Sequence, residues 1–317
     1  MTNLRNKEIY ISGGNGFLGS HLVDRLVSEG ISREQIDTPR SSWLDLRRFD
    51  HAVEAVSGKK VIFHLAGNVG GIGYNQEHPG TLFYDNLMMG VNLIEACRQN
   101  GGVEKLILVG TICSYPKFTE LPFREENLWH GFPEETNAPY GIAKKALLMM
   151  AQAYQQEFGL NSIYLLPVNL YGPRDHFDPR VSHVIPALIK KFVEAREKKA
   201  KEMTAWGTGR ATREFLYVED AADGITLAAQ DLNELTPVNL GSGMEISILE
   251  LTELIADLTG YDGQIVWDTT KPDGQPRRRL DTTKAKELFG FEAKTDFKAG
   301  LKATIEWYRK TLPSSTT

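Results

Sequence analysis

Cysteine is scarce in this chain, with only Cys97 and Cys113 in 317 residues. Two are too few for a disulfide framework. Long apolar runs are missing too, and none approaches the ~20 residues of a membrane span. Positive charge is not in excess, because 36 Lys and Arg face 41 Asp and Glu, for a formal net charge of -5. No global basic field therefore points to nucleic acid, and basic groups for an anionic ligand must be placed locally. There is no internal repeat and no low-complexity segment. The first residues enter a strand pattern without the apolar core of a signal peptide. A soluble, cytoplasmic protein is expected, with no membrane or nucleic-acid partner. The tail at 313–317 is expected to fray. What is present, 41% hydrophobic and 24% charged residues, suffices for one large or two modest domains with a real core.

The stretch Asn137-Ala-Pro-Tyr-Gly-Ile-Ala-Lys-Lys-Ala146 reads as the start of a helix. Pro139 suits its first turn, helix formers run to Phe158, and Gly159 supplies the stop. Tyr140 and Lys144 are four apart and share a face with Ala143, Leu147, Ala151 and Tyr154. Lys144 either snorkels to water at the edge of that stripe or acts on Tyr140. An ammonium beside the phenol would lower the Tyr pKa from near ~10, so that it exchanges a proton at a carbonyl near neutral pH.

Upstream, the strand Glu8–Ser12 runs into Gly13-Gly-Asn-Gly16-Phe-Leu-Gly19 and then a helical pattern from Ser20 to Glu29. Strand, glycine turn and helix in that order bring the backbone close to a pyrophosphate at a helix N-terminus, so dinucleotide binding is expected. A second strand lies around Gln35–Thr38. Arg40 beyond it suits the 2′-phosphate of NADP, or is simply solvated, while Asp37 precedes the loop. Further strands are read at Lys60–Ala66, Glu104–Gly110, Asn161–Pro167 and Pro237–Gly241, with helices at Thr81–Asn100 and Asp220–Gln230. Strands alternating with helices in this way imply an α/β doubly wound parallel sheet. A glycine-rich loop, 67–73, follows the third of these strands. Cys97 lies mid-helix and reads as core. Cys113 falls at the carboxyl end of a central strand, where it is inert or reactive according to its surroundings. Ser182 can cap a helix that starts near His183 and runs to about Lys199. The role of His183 depends on what surrounds it. Glu194–Glu202 reads as a solvated charged face, Trp206–Gly209 as a turn, and Ile248–Thr259, Thr283–Phe289 and Lys298–Thr311 as helices. Arg277-Arg-Arg279 is a solvated patch, or joins Arg213 in clamping a diphosphate.

The glycine loop with Tyr140-x-x-x-Lys144 resembles the extended short-chain dehydrogenase/reductase family, and the resemblance covers nearly the whole chain. His64–Ile72, Asn86-Leu-Met, Thr111–Lys117, Asn169–Pro173, Ser182–Leu188 and Arg213-Glu-Phe-Leu narrow it to members that epimerise and reduce GDP-linked 4-keto-6-deoxy sugars. The resemblance implies a Rossmann domain at 1–170 and 219–243, and a nucleotide-sugar domain at 171–218 and 244–312. It also implies a homodimer. The cofactor is NADP(H), held by Gly13, Gly16, Phe17, Leu18, Gly19, Arg40, Asp45, Leu46, Leu65, Ala66, Asn86, Tyr140, Lys144, Pro167, Asn169 and Leu170. Catalysis falls to Tyr140, Lys144, Cys113, His183 and Thr111, with a protonated His183 lowering the Cys113 pKa. The nucleotide-sugar substrate meets Asn169, His183, Val184, Lys191, Trp206, Arg213 and Arg278.

The implied reaction is C3/C5 epimerisation and then C4 reduction of GDP-4-keto-6-deoxy-D-mannose. The alternative is reduction or epimerisation alone on a related 4-keto sugar, such as a 6-deoxyheptose. A non-catalytic, NADP-sensing member of the fold would be expected to lack Tyr140 or Lys144. A sugar 4,6-dehydratase would carry an Asp-Glu pair where Ile112 and Cys113 stand. The family usually has Ser at Thr111, so the added methyl narrows the pocket. Lys191 stands where some members have Arg, losing bidentate geometry.

Overall fold

The computed structural model describes residues 2–271 and 273–312, so the tail expected to fray lies outside the described residues. Strand β1 (Ile9–Ser12) leads into helix α1 (Phe17–Ser28), the short β2 (Ile36–Asp37), α2 (Phe49–Val56) and β3 (Val61–His64). Next come α3 (Ile72–Glu77), α4 (Pro79–Asn100), β4 (Lys105–Val109), α5 (Ala138–Phe158) and β5 (Ser162–Pro167). β1, β3, β4 and β5 are buried at every position. Near-continuous apolar strands of this kind belong to a parallel sheet covered on both faces.

The chain continues through β6 (Asn169–Tyr171), α6 (Val184–Glu197), β7 (Glu202–Trp206), β8 (Thr212–Arg213), β9 (Phe215–Tyr217), α7 (Val218–Asp231) and β10 (Pro237–Leu240). It ends with β11 (Ile246–Ser247), α8 (Ile248–Thr259), β12 (Gln264–Asp268), β13 (Arg277–Arg278), α9 (Thr283–Phe289) and α10 (Phe297–Thr311). The main sheet has the order β10-β5-β4-β3-β1-β2 and is parallel throughout, as the alternation of strands and helices implied. From β1 the chain goes one way to β2 and returns to β3 on the other side. Ligands bind at such a switch point, outside the carboxyl ends of the strands.

The largest core packs around this sheet, and a second one gathers Ile185, Ile189 and Phe192 of α6 with Met203, Leu251, Ile255, Leu301 and Ile305. The helices end as their sequences direct. Pro79 and Pro139 sit in the first turns of α4 and α5, and Gly101 and Gly159 close them in the left-handed conformation at φ 62° and 69°. α4 and α5 approach closely because Gly90 has no side chain to strike Leu147. Among the described residues no helix is long and apolar enough to cross a membrane.

Two local readings change. The N-cap of α6 is His183, not Ser182, whose hydroxyl is buried without a partner among the described residues. The charged stretch ends sooner than read, because Glu202 opens β7, which pairs in parallel with β12. Its exposed-buried alternation is short and flanked by lysines, which hid it. Lys105, the first residue of β4, is fully buried, and its ammonium donates to the Ala229 carbonyl at 2.6 Å at the end of α7. A cation there satisfies carbonyls that the helix leaves open.

Candidate active site

The glycine turn after β1 is built for close backbone packing. Gly13 has φ 72°, and a Cβ on Gly19 would collide with the Gly13 carbonyl. α1 has Gly16 as N-cap and no side-chain cap, so its first amides remain open to an anion. Phe17 and Leu18 occupy that first turn. These features fit a dinucleotide pyrophosphate. Asp37, the acid at the end of β2, is held by Lys59 at 2.7 Å, while Arg33 donates to Thr38 at 3.0 Å. Arg40 is exposed two residues beyond Thr38. A cationic rim with its acid already paired suits a 2′-phosphate better than a free 2′-hydroxyl. Nothing in the residue order marks Arg33, because its approach depends on the fold of the 33–38 turn.

Two residues expected at the cofactor also have partners within the chain. The Asn86 amide is fully buried and donates to the carbonyls of Asn68 (2.8 Å) and Leu82 (2.7 Å), while its oxygen accepts from Asn68 N. It shapes the loop after β3. Asp45 is satisfied near its own turn: Arg47 binds its carboxylate at 2.7 Å and keeps it below the usual range, and its N–H donates to His51. Leu46 is buried beneath it. Leu65 and Ala66 stand at the end of β3, where Ser12 Oγ accepts from the Ala66 N–H. Pro167, Asn169 and Leu170 lie at the carboxyl end of β5 and the start of β6. Asn169 donates to the Glu214 carbonyl at 3.0 Å.

The reacting centre forms where β4 ends. Thr111 Oγ1 accepts from the Cys113 N–H at 3.1 Å and caps a single 3-10 turn, Ile112–Ser114, that presents Cys113. The first turn of α5 lies directly on it. Ser114 donates to the Gly141 carbonyl at 2.9 Å, and a Cβ on Gly141 would collide with the Cys113 carbonyl. Tyr164 of β5 donates to the Lys144 carbonyl at 2.8 Å, fixing the next turn. Tyr140 and Lys144 are thus set against Thr111 and Cys113.

The electrostatics correct a simple expectation. Burial, then the neighbouring Cys113, pushes Tyr140 above its ordinary value, opposed by the Thr111 hydroxyl. Lys144 is pushed down to about 8 by burial and donates to the Ala66 carbonyl at 3.2 Å. Burial thus favours the phenol over the phenolate, which suits a group that gives up a proton to substrate.

On the facing lobe, Arg213 of β8 and Arg278 of β13 are register partners in a parallel pair. Arg213 is held by the carbonyls of Thr212 and Asp273, and burial followed by Arg278 lowers it to about 10. Of the three consecutive arginines only Arg278 turns in, while Arg277 is tied to Glu245 at 2.7 Å. Lys191 stands 5.2 Å from the ring centre of the exposed Trp206 and Lys271 stands 5.4 Å away, so the indole has a cation at each of two contacts. Lys191 also donates to the Thr204 carbonyl at 3.1 Å.

His183 and Val184 start α6 at the mouth of the second lobe. The His183 side chain is open to the cleft although protein surrounds it densely. Desolvation and then His176 push its pKa down. Among the described residues no hydrogen bond joins it to Cys113. The cation at the sulfur is Arg278, not a protonated His183: its Nη1 lies 3.5 Å from Sγ.

Sequence and shape agree with this geometry. Residues 9–241 match the model of the NAD dependent epimerase/dehydratase family. The chain belongs to that family. Within it, the chain is 40% identical to a probable GDP-L-fucose synthase 1 of Oryza sativa subsp. japonica, covering 95% of this chain and 92% of that one. It superposes on a GDP-6-OMe-4-keto-L-xylo-heptose reductase from C. jejuni with a TM-score of 0.90 at 29% identity, covering 97% and 99%. It also superposes on a GDP-L-fucose synthetase of Naegleria fowleri bound to NADP, with a TM-score of 0.88 at 27% identity, covering 98% and 96%.

In this epimerase/dehydratase fold the glycine between Tyr140 and Lys144 leaves no room for a side chain, since a Cβ there would strike the Cys113 carbonyl. Gly141→Ala is expected to leave a folded protein with turnover reduced about 100-fold, because the two segments must separate by an ångström or so. Near-native circular dichroism with that loss supports the contact, and unchanged turnover contradicts it.

Proposed function

We propose that the protein is an NADP(H)-dependent epimerase/reductase that converts GDP-4-keto-6-deoxy-D-mannose to GDP-L-fucose. The observation that carries this reading is a thiol, not a carboxylate pair, at the end of β4, facing Tyr140 and Thr111. Likeness to a GDP-L-fucose synthase over 95% of the chain supports the substrate. The sugar protons at C3 and C5 are acidic because both carbons flank the C4 ketone. Cys113 takes one as a thiolate, the C–H electron pair moves to the ketone oxygen, and Tyr140 and Thr111 hydrogen-bond the charge that develops there. His183 returns a proton from the other face and inverts the centre. When bound, NADPH supplies the hydride that reduces C4, and Tyr140 gives the proton to its oxygen. Lys144 holds the ribose, Arg213 the diphosphate, and Trp206 with Lys191 the nucleotide end.

A second reading, reduction alone on a GDP-linked 4-keto heptose, is supported by likeness to a heptose reductase at a TM-score of 0.90. The region that carries the main parallel sheet (1–170 with 219–243) would bind cofactor and the remainder (171–218 with 244–312) the sugar nucleotide. Two free thiols suit a reducing cytoplasm.

Nuclear magnetic resonance of the product formed with NADPH separates the two readings. GDP-L-fucose is the expected product. A D-series GDP-6-deoxyhexose would mean reduction without epimerisation, and no NADPH oxidation would overturn the substrate.

The starts of α4 and α5 border an open groove lined by Pro79, Phe83, Phe132, Pro139 and Ile142. Phe132 is 63% exposed. We infer that this face joins two copies in a homodimer, an apolar patch of this kind being a marker of an interface. Sedimentation equilibrium should give twice the 35.5 kDa chain mass, and Phe132→Glu should shift it toward the monomer. A monomeric wild type would refute the dimer.

A further inference from the structure

Arg213 and Arg278 stand side by side on parallel strands, in register and on one face. Like charges so placed repel, and pairing costs stability unless an anion lies between or beside them. Arg213 suffices for a diphosphate. Arg278 has a different neighbour. It is 7% exposed, its Nε donates to Gln275 Oε1 at 2.7 Å, and its Nη1 points to Cys113 Sγ at 3.5 Å. Gln275 in turn donates to the Lys117 carbonyl at 2.7 Å, so the guanidinium is held from behind.

A second residue aims the sulfur. Cys113 Sγ lies 3.8 Å from Asn137 Oδ1. The Asn137 Nδ2 donates to Glu134 at 2.6 Å, and its Oδ1 accepts from Asn75 Nδ2 at 3.1 Å. A carboxylate only accepts, so Glu134 fixes which end of the amide faces the thiol. The thiol donates to Asn137 and accepts from Arg278. On losing its proton the sulfur keeps the second bond, now charge-assisted. An arginine cannot surrender its own proton, so it stabilises the anion without competing as an acid.

We propose that Arg278 is a positioning residue that stabilises negative charge on Cys113 Sγ, and that Asn137, braced by Asn75 and Glu134, aims that sulfur. This rests on the reading of Cys113 as the base. The charged and titratable groups facing the sulfur are Arg278 from β13, Arg213 from β8, Tyr140 from α5 and Glu134 ahead of α5. Burial raises Tyr140, Glu134 is held by Thr136 and Asn137, and Arg213 is anchored on carbonyls. The proton Cys113 accepts comes from sugar carbon, and the electron pair it releases stays on the ketone oxygen, so no further reactant is needed.

The test reads the thiol without any sugar. Iodoacetamide alkylation of Cys113 in the full chain is followed by peptide mass spectrometry from pH 6 to 10. Buried Cys97 serves as the unreactive internal reference. In Arg278→Met the midpoint of the pH–rate profile is expected to rise by about one pH unit or more. Arg278→Lys should recover much of that shift, and Gln275→Leu should give an intermediate one. With GDP-4-keto-6-deoxymannose, Arg278→Met should lower kcat with little change in KM. An unmoved alkylation midpoint in Arg278→Met that still binds NADP+ overturns the proposal, as does a rise in KM alone. Should Arg278→Met fail to fold, an unmoved midpoint in Gln275→Leu overturns it. If the wild type ignores this sugar but the midpoint shifts, the substrate falls and the role of Arg278 stands.

Discussion

The site depends on one contact, the seating of the first turn of α5 on the short turn Ile112–Ser114. That seating needs Gly141, because any larger residue strikes the Cys113 carbonyl, and it is locked by the bond from Ser114 to the Gly141 carbonyl. It brings a phenol from a helix and a thiol from a strand end into one cleft. Tyr164, reaching across from β5 to the Lys144 carbonyl, extends the same junction by one turn. Everything else in the site is arranged around a position that the sheet itself fixes.

The second constraint is charge. The chain as a whole carries -5, yet the cleft concentrates Lys144, Arg213 and Arg278, each with most of its surface out of water. Burial lowers Lys144 to about 8 and Arg213 to about 10. Desolvated cations of this kind gain most from an anion that replaces the lost water. A nucleotide diphosphate and a transient enolate are such anions, so a mildly acidic protein can offer a highly charged ligand a locally cationic cleft.

Much of this was legible in the residue order. The glycine turn, the strand–helix alternation and Tyr140-x-x-x-Lys144 depend on local spacing, and the sheet, the open start of α1 and the shared face of α5 follow from that spacing. What stayed hidden is non-local. Asn75 meets Asn137 across 62 positions, and Arg278 meets Cys113 across 165. Nothing near Asn137 or Gln275 marks either as a brace for the sulfur. The middle arginine of three turns inward only because β13 pairs with β8 in one register. Environment also reversed two inferences drawn from residue type. Burial pushes the Tyr140 phenol up and the His183 imidazole down, and Arg278 is the cation that stands at the thiol. The pairing of β7 with β12 escaped for the same reason, since short half-exposed strands take their identity from a distant partner.

The central claim is that one cleft carries both proton exchange at carbon and reduction at the ketone, with Cys113 serving the first. Proton nuclear magnetic resonance of GDP-4-keto-6-deoxymannose in heavy water, with NADP+ in place of NADPH, isolates that step. Deuterium should enter C3 and C5 with the wild type and not with Cys113→Ala. Absence of exchange with the wild type, or exchange undiminished in Cys113→Ala, would contradict the account.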